Sequence, residues 1–399
     1  MYKNFEFKII HQDPNSQARI GILKTPHGDV QTPNFIFCAT KAAIKGLTPQ
    51  QMKECGAQII LSNTYHLMLQ PGGDVIEKMG GLQKYTGWNG PMFTDSGGFQ
   101  IFSLGYGEVA SEIKGKRNNV RPKTLLKITE EGAKFRSYLN GDIHLLTPEK
   151  SIQIQRQLGA DLIVVLDECT PFHVDKSYTE KSMHLTHRWA QRSLEEFIRG
   201  DNGAQALYGI IQGGVYPDLR KIAAEFVNNE RFFGHAIGGS LGATKDQMHE
   251  VVGTVMSFLS KDRPVHLLGI GGIKDIFHGV RQGIDTFDCV HPTRLARHGG
   301  ALIKPSFWQN EDGDGKEHIS LRNSKFRIDS RPIDEFCSCF TCKTFSRSYL
   351  HHLFKAQELL AMQALTIHNV TFMNELMKDI RVSLQEKALD ECEKKWSYS

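Results

Sequence analysis

The sequence predicts an α/β protein, a (β/α)8 TIM barrel followed by a smaller subdomain. Three observations predict it. Eight short apolar runs recur between residues 34 and 290, each closing on a polar or glycine-rich tip. Amphipathic segments with helix-start signals lie between many of them. The pattern stops after about residue 305, and three close-spaced cysteines follow.

The runs are NFIFCAT (34–40), QIILSN (58–63), PMFTD (91–95), LIVVLDE (162–168), ALYGIIQG (206–213), GHAIGG (234–239), VHLLGIG (265–271) and TFDCV (286–290). Each is apolar on both faces, as a strand buried within a parallel sheet must be. In TPEKSIQIQRQLG (147–159), Thr147 reads as a helix N-cap, Pro148 as the first helical residue and Gly159 as the stop. TKDQMHEVVGTVMSFL (244–259) reads the same way. Eight such units over roughly 250 residues close a barrel. Residues 1–305 are predicted to form it, with an insertion at about 101–146. Residues 306–399 are predicted to form a subdomain whose terminal helices pack on the barrel. The polar loop NEDGDGKEH (310–318) marks the boundary.

In that subdomain CSCFTC supplies Cys337, Cys339 and Cys342. Outside an oxidising compartment, such a cluster reads as a metal site rather than as disulfides. Zinc takes four ligands, so a histidine is needed, and His351, His352 and His368 are the candidates. A closed Cys3His set leaves no position for water, so the expected zinc, one per chain, is structural. An iron–sulfur cluster would require a fourth cysteine.

At 399 residues, 40% hydrophobic and 23% charged, the chain has the balance of a soluble globular protein with a large core. No run of 18 apolar residues occurs, so no membrane partner is expected. The start, MYKNFEFKII, lacks the features of a secretion leader, and a cytoplasmic location is expected. The net charge is +4, and KGKRNNVRPK (114–123) gathers Lys114, Lys116, Arg117, Arg121 and Lys123 without an acid. That strip is either a solvated loop or a phosphate-contacting surface.

Chemistry in such a barrel sits at the carboxyl ends of the strands, where Asp95, Asp167, Gln212 and Asp288 fall. One aspartate at a strand end is often a helix cap. Three on one rim need another account. Paired carboxylates serve retaining glycosyl transfer, one attacking the anomeric carbon while the other exchanges a proton with the leaving group. They also serve proton shuttling on a small metabolite. DSGGFQ (95–100) places glycines beside Asp95, where a flat ligand can approach the backbone, and GIGG (269–272) offers a weak phosphate-cradle signal.

The stretches SNTYHLMLQPG (62–72), FTDSGGFQ (93–100), LDECTPF (166–172), IIQGGVY (210–216), FDCVHPTRLAR (287–297), CSCFTC (337–342) and IHN (367–369) form a specific set. Through them the sequence resembles the tRNA-guanine transglycosylases over essentially its whole length. The resemblance implies a zinc-bearing (β/α)8 barrel. It also implies exchange of the wobble guanine of GUN anticodons in tRNA for a 7-deazaguanine base, usually by a homodimer. Asp288 matches the nucleophile that bonds to ribose C1′, and Asp95 the general acid/base. Replacing one base by another on the same sugar face needs two inversions, hence a covalent intermediate. Water must be kept out.

For the base, the resemblance assigns Asp95, Phe99, Asp167, Gln212, Gly239 and Leu268. Asp167, acceptor-only when ionised, would read the N1–H and amino group of guanine. Gln212 and the Gly239 N–H would donate to O6, and Phe99 and Leu268 would sandwich the ring. RNA contacts are implied for Gly269, Ile270, Gly271, Gly272, Ile273, Lys274 and Asp275, and for Thr293, Arg294, Leu295, Ala296 and Arg297. Among the histidines, the resemblance points to His368 as the fourth zinc ligand.

The choice of incoming base is read from Ser240, Leu241, Gly242, Ala243 and Thr244, where bacterial members commonly carry Leu-Ala-Val-Gly-Glu. Gly242 replaces an aliphatic side chain that narrows the pocket. Eukaryotic members with glycine there accept queuine. Thr244 replaces an acid that supports the ammonium of preQ1. Cys169, by contrast, is the bacterial-type residue. Queuine is the expected base, with preQ1 the alternative. The presence of both Asp288 and Asp95 argues against an idle accessory subunit. Arg294 and Arg297 argue against an enzyme of a small phosphorylated metabolite.

Overall fold

The computed structural model describes residues 1–105, 124–171, 174–305 and 317–397. The basic strip at 114–123 and most of the loop at 310–318 lie outside the described residues. Strands β1 (Glu6–Gln12), β2 (Arg19–Thr25) and β3 (Gly28–Thr32) form an antiparallel sheet ahead of the barrel. Then come β4 (Asn34–Cys38), β5 (Ile60–Ser62) and β6 (Met92–Thr94). In the insertion, β7 (Leu125–Ile128), β8 (Ala133–Arg136) and β9 (Ile143–Leu146) make a second antiparallel sheet. The chain returns through β10 (Leu162–Val164), β11 (Ala206–Ile211), β12 (Gly234–Ile237), β13 (Val265–Leu267) and β14 (Thr286–Cys289).

Strands β4, β5, β6 and β10 to β14 close into an eight-stranded barrel in which β14 pairs with β4, all neighbours running parallel. Every observed barrel strand lies within its predicted run, and β14 alone of the acid-bearing strands includes its acid, Asp288. The two helices read from their caps form as expected. Thr147 accepts from the Lys150 N–H ahead of Pro148–Leu158, and Thr244 from the Gln247 N–H ahead of Lys245–Phe258. Large rings such as Phe35, Phe93, Tyr208 and Phe287 are buried, and each contributes about 1.5–3 kcal/mol through burial.

Beyond the barrel, β15 (Gly300–Leu302) and β16 (His318–Ser320) pair antiparallel, joining the two sides of position 305. Helix Arg347–Lys355 is followed by the 28-residue helix Leu359–Glu386, which packs against β15, β4 and β2. No helix among the described residues is long and apolar enough to cross a membrane.

The end of the barrel away from the strand tips is held by buried charge. Arg19 donates from Nε and Nη2 to the two Asp285 oxygens (3.0 and 2.6 Å) and from Nη1 and Nη2 to the carbonyls of Lys261 and Arg263. Asp285 also accepts from the Val265 N–H at 2.7 Å. This bridge ties the first sheet to β13 and β14. Removing one member leaves the other charge buried and alone. Arg19→Met is expected to cost about 3–5 kcal/mol in equilibrium denaturation while leaving activity per folded molecule unchanged.

Candidate active site and metal centre

The barrel ladders stop at Thr94, Val164, Ile211, Ile237 and Leu267, so Asp95, Asp167, Gln212, Gly239 and Leu268 follow just past strand ends, and Asp288 lies next to the end of β14. All sit on one rim. Strand β6 neighbours β10, while β5 and β4 separate β6 from β14. Asp95 therefore adjoins Asp167 and faces Asp288 across the mouth.

Each carboxylate is held by neutral donors. Asp95 Oδ2 accepts from Asn63 Nδ2 (2.5 Å) and Gln100 Nε2 (2.7 Å), and Oδ1 from the Thr64 N–H (2.8 Å). Burial pushes the Asp95 carboxyl up, these donors pull it back, and the charge of Asp288 adds to the rise. Asp288 Oδ1 accepts from the Gly269 N–H (2.9 Å) and from His266 Nε2 (3.2 Å). His266 Nδ1 lies 2.9 Å from the Thr286 hydroxyl, which orients the ring toward Asp288. The Cys38 thiol reaches Asp288 Oδ2 at 3.5 Å. A thiol is a weak donor, so this oxygen stays the more nucleophilic of the two.

Asp167 Oδ2 accepts from Gln212 Nε2 at 2.6 Å, with Ser96 Oγ at 3.4 Å from Oδ1. Burial pushes its carboxyl up to about 6 against those two hydrogen bonds, and the charge of Asp95 adds to the rise. Gly239 sits at φ +79°, and a Cβ there would run into Gln212 Oε1, so both backbone and close approach require glycine. Gly242 sits at φ +123°, with Gln247 against the space a Cβ would take. Loop conformation and the close approach of Gln247 therefore both favour glycine here. Phe99 is 51% exposed at the rim, an open aromatic face, and Leu268 is half-buried.

The metal-ligand atoms of Cys337, Cys339, Cys342 and His368 all lie within 4.8 Å of one another. His368 Nδ1 is 3.7, 3.8 and 3.3 Å from the three sulfurs in that order. A tetrahedral zinc site puts sulfur and nitrogen about 3.6 Å apart, so the group fits such an ion. His368 Nε2 donates to the Leu302 carbonyl at 2.8 Å, which keeps the proton off Nδ1 and aims its lone pair at the sulfurs. His351 is committed to the Leu321 carbonyl (2.8 Å), and His352 lies exposed. The next residue on the His368 helix, Asn369, donates to the carbonyls of Pro292 and Gly300 (2.9 and 3.0 Å) and accepts from the Leu302 N–H (2.9 Å).

The model of the family described as queuine tRNA-ribosyltransferase matches residues 13–399. The chain is 45% identical over 401 residues to the queuine tRNA-ribosyltransferase of Roseiflexus sp. (strain RS-1), covering 98% of each. It is 43% identical over 382 residues to that of Protochlamydia amoebophila (strain UWE25), covering 96% of each.

The chain belongs to the queuine tRNA-ribosyltransferase family. As a member it is an enzyme, a transferase of the tRNA-guanine transglycosylase class.

Not every residue that the family resemblance marks for ligand contact offers a side chain. Ile273, Asp275, Thr293 and Ala296 are buried, and Asp275 is engaged by His249 (3.0 Å) and Lys245 (3.3 Å). Lys274 and Arg294 face outward. Leu241 is buried, and the Thr244 hydroxyl is spent capping its helix. Conversely, the supports of this transglycosylase's acids — Asn63, Gln100, Ser96, His266 and Cys38 — have no role in the sequence reading. Asn63 ends a strand run and is visible there as a polar tip. His266 lies inside an apolar run and is indistinguishable from core by pattern.

Two outcomes follow for this family member. His368→Ala and Cys339→Ser should each drop bound metal from about one per chain to near zero by elemental analysis, with a lower melting temperature, because metal binding is coupled to folding. Asp167 has a folded-state pKa above the ordinary carboxylate value of about 4, so its ionisation opposes folding. That penalty is full above about pH 6 and absent below about pH 4. Asp167→Asn should therefore raise the melting temperature relative to wild type at pH 7 and leave the two equal near pH 4.

Proposed function

We propose that this enzyme exchanges the wobble guanine of GUN-anticodon tRNA for a 7-deazaguanine, queuine by preference, through a covalent enzyme–RNA intermediate in queuosine biosynthesis or salvage. The observation that carries the reading is the pair Asp288 and Asp95, facing each other on one rim and held by different sets of donors. Asp288 Oδ2, lightly held, attacks C1′ as the C1′–N9 bond breaks. Asp95, whose carboxyl burial inclines to hold a proton, gives it to the departing purine and recovers one from the incoming base. Ionised Asp167 accepts from the N1–H and amino group, while Gln212 and the Gly239 N–H serve O6. Phe99 and Leu268 enclose the ring.

The exposed Lys274 and Arg294, with Arg297 and the backbone of 269–272, suit phosphate and ribose contacts. Zinc is the metal the Cys3His donor set fits, and it acts in folding rather than chemistry. Residues 1–305 and 306–399 serve as barrel and zinc subdomain. In that subdomain the exposed rings of Phe340 and Tyr349 support a second copy of the chain as partner. A cytoplasmic place follows from a tRNA substrate.

Queuine is favoured because Gly242 and the capping Thr244 leave no side chain to narrow the pocket and no acid for an ammonium. The alternative, preQ1, would enter by the same reaction. The test is kcat/KM for both bases on one tRNA: a queuine preference of about tenfold or more is expected, the order of a methylene-sized steric difference, and a preQ1 preference would overturn it. Asp288→Asn should also abolish the RNA adduct on a denaturing gel, and a persisting adduct would place the nucleophile elsewhere.

A further inference from the structure

Arg220, on helix Pro217–Asn229, is 0% exposed, and no carboxylate among the described residues lies within ion-pair distance of it. Its guanidinium spends itself on carbonyls. Nε donates to Gly214 (2.7 Å), Nη1 to Ile211 and Gly238 (2.8 and 2.9 Å) and Nη2 to Ser240 (3.1 Å). Burying a cation without a counter-ion is costly, and a salt-free arrangement of this kind persists only where the geometry it imposes matters.

The four carbonyls belong to the last residue of β11 and to two turns. One follows β11 and carries Gln212 at its start. The other follows β12 and carries Gly239 between two clamped residues. Arg220 thus spans the two segments assigned to the purine O6 edge. Between helix Pro217–Asn229 and helix Lys245–Phe258 lies a cavity of about 210 Å³, lined by Val215, Arg220, Gln247, Glu250 and Thr254 among others. The loop at 238–242 packs through the buried side chain of Leu241. Its turn is set by hydrogen bonds as well, from Arg220 and from Gln247, whose Oε1 accepts from the Ala243 N–H at 3.0 Å.

We infer that Arg220 is a positioning residue for base recognition, clamping the turns after β11 and β12 so that Gln212 and the Gly239 N–H address one edge of the purine. The inference rests on the base contacts proposed above. A lysine cannot replace it, because one ammonium offers three donors from a single point and cannot span both turns.

Steady-state exchange of labelled guanine into tRNA tests it. Arg220→Lys should raise KM for the base about tenfold or more while kcat and KM for tRNA stay within about threefold. Unchanged base KM, or kcat falling in step with it, would overturn the inference. Hydrogen exchange on the wild-type chain gives a second reading that survives a variant that fails to fold. The Gly238 N–H, bonded to the Ile211 carbonyl at 3.1 Å, should exchange as slowly as the β12 amides. Exchange at open-loop rates would equally overturn the clamp. Gln212→Ala separates the two layers: an unchanged base KM there sinks the proposed base contacts, while a raised one there beside an unchanged one in Arg220→Lys sinks the clamp alone.

Discussion

Three carboxylates share the mouth of this barrel, and among the described residues no lysine or arginine pairs with any of them. Burial pushes the Asp95 and Asp167 carboxyls up, and the charges of Asp288 and Asp95 respectively add to the rise. The fold meets the cost with amides, hydroxyls, backbone N–H groups and one imidazole. A guanidinium beside Asp288 would quench the nucleophile, and one beside Asp95 would strip it of its readiness to carry a proton. The division of labour on the rim therefore follows from which neutral donors each acid receives. Asp95 has three, Asp167 has an amide and a distant hydroxyl, and Asp288 has two on one oxygen and a weak thiol on the other.

The two ends of the barrel use buried charge in opposite ways. At the far end Asp285 is fully paired by Arg19, and Asp161 collects His27 (2.7 Å), Gln83 (3.0 Å) and the Met92 N–H (2.9 Å). Those acids fasten layers together and leave nothing to spare. At the mouth the acids keep oxygen atoms available. Parallel strands direct all their carboxyl ends to one side, so this separation of fastening from chemistry comes with the topology.

Much of this is legible in the residues. The eight strands are readable because burial on both faces leaves unbroken apolar runs, and the acids are readable because they interrupt those runs at the tips. The strands of the first sheet are not. In β1, EFKIIHQ, both Ile9 and Ile10 are exposed, so the strand shows no buried-face rhythm. The sheet of β7 to β9 has four-residue strands, too short for a period to register. Among the site's supports, Arg220 sits beside Lys221 on an amphipathic helix, and spacing alone does not say which of two adjacent cations turns inward. The cysteine cluster is plain, whereas the choice among three histidines needs either the family pattern or the fold that turns His368 toward the sulfurs.

The adjacent pair His368 and Asn369 has a consequence for the order in which the protein matures. Asn369 holds the carbonyl of Pro292, four residues beyond the nucleophile, and it does so from a helix near the end of the chain. During synthesis all eight barrel strands emerge before that helix exists. A nascent chain therefore possesses its barrel while the segment behind Asp288 still lacks its anchor, and the site is finished only when the C-terminal helices have been made and Asn369 has closed on Pro292.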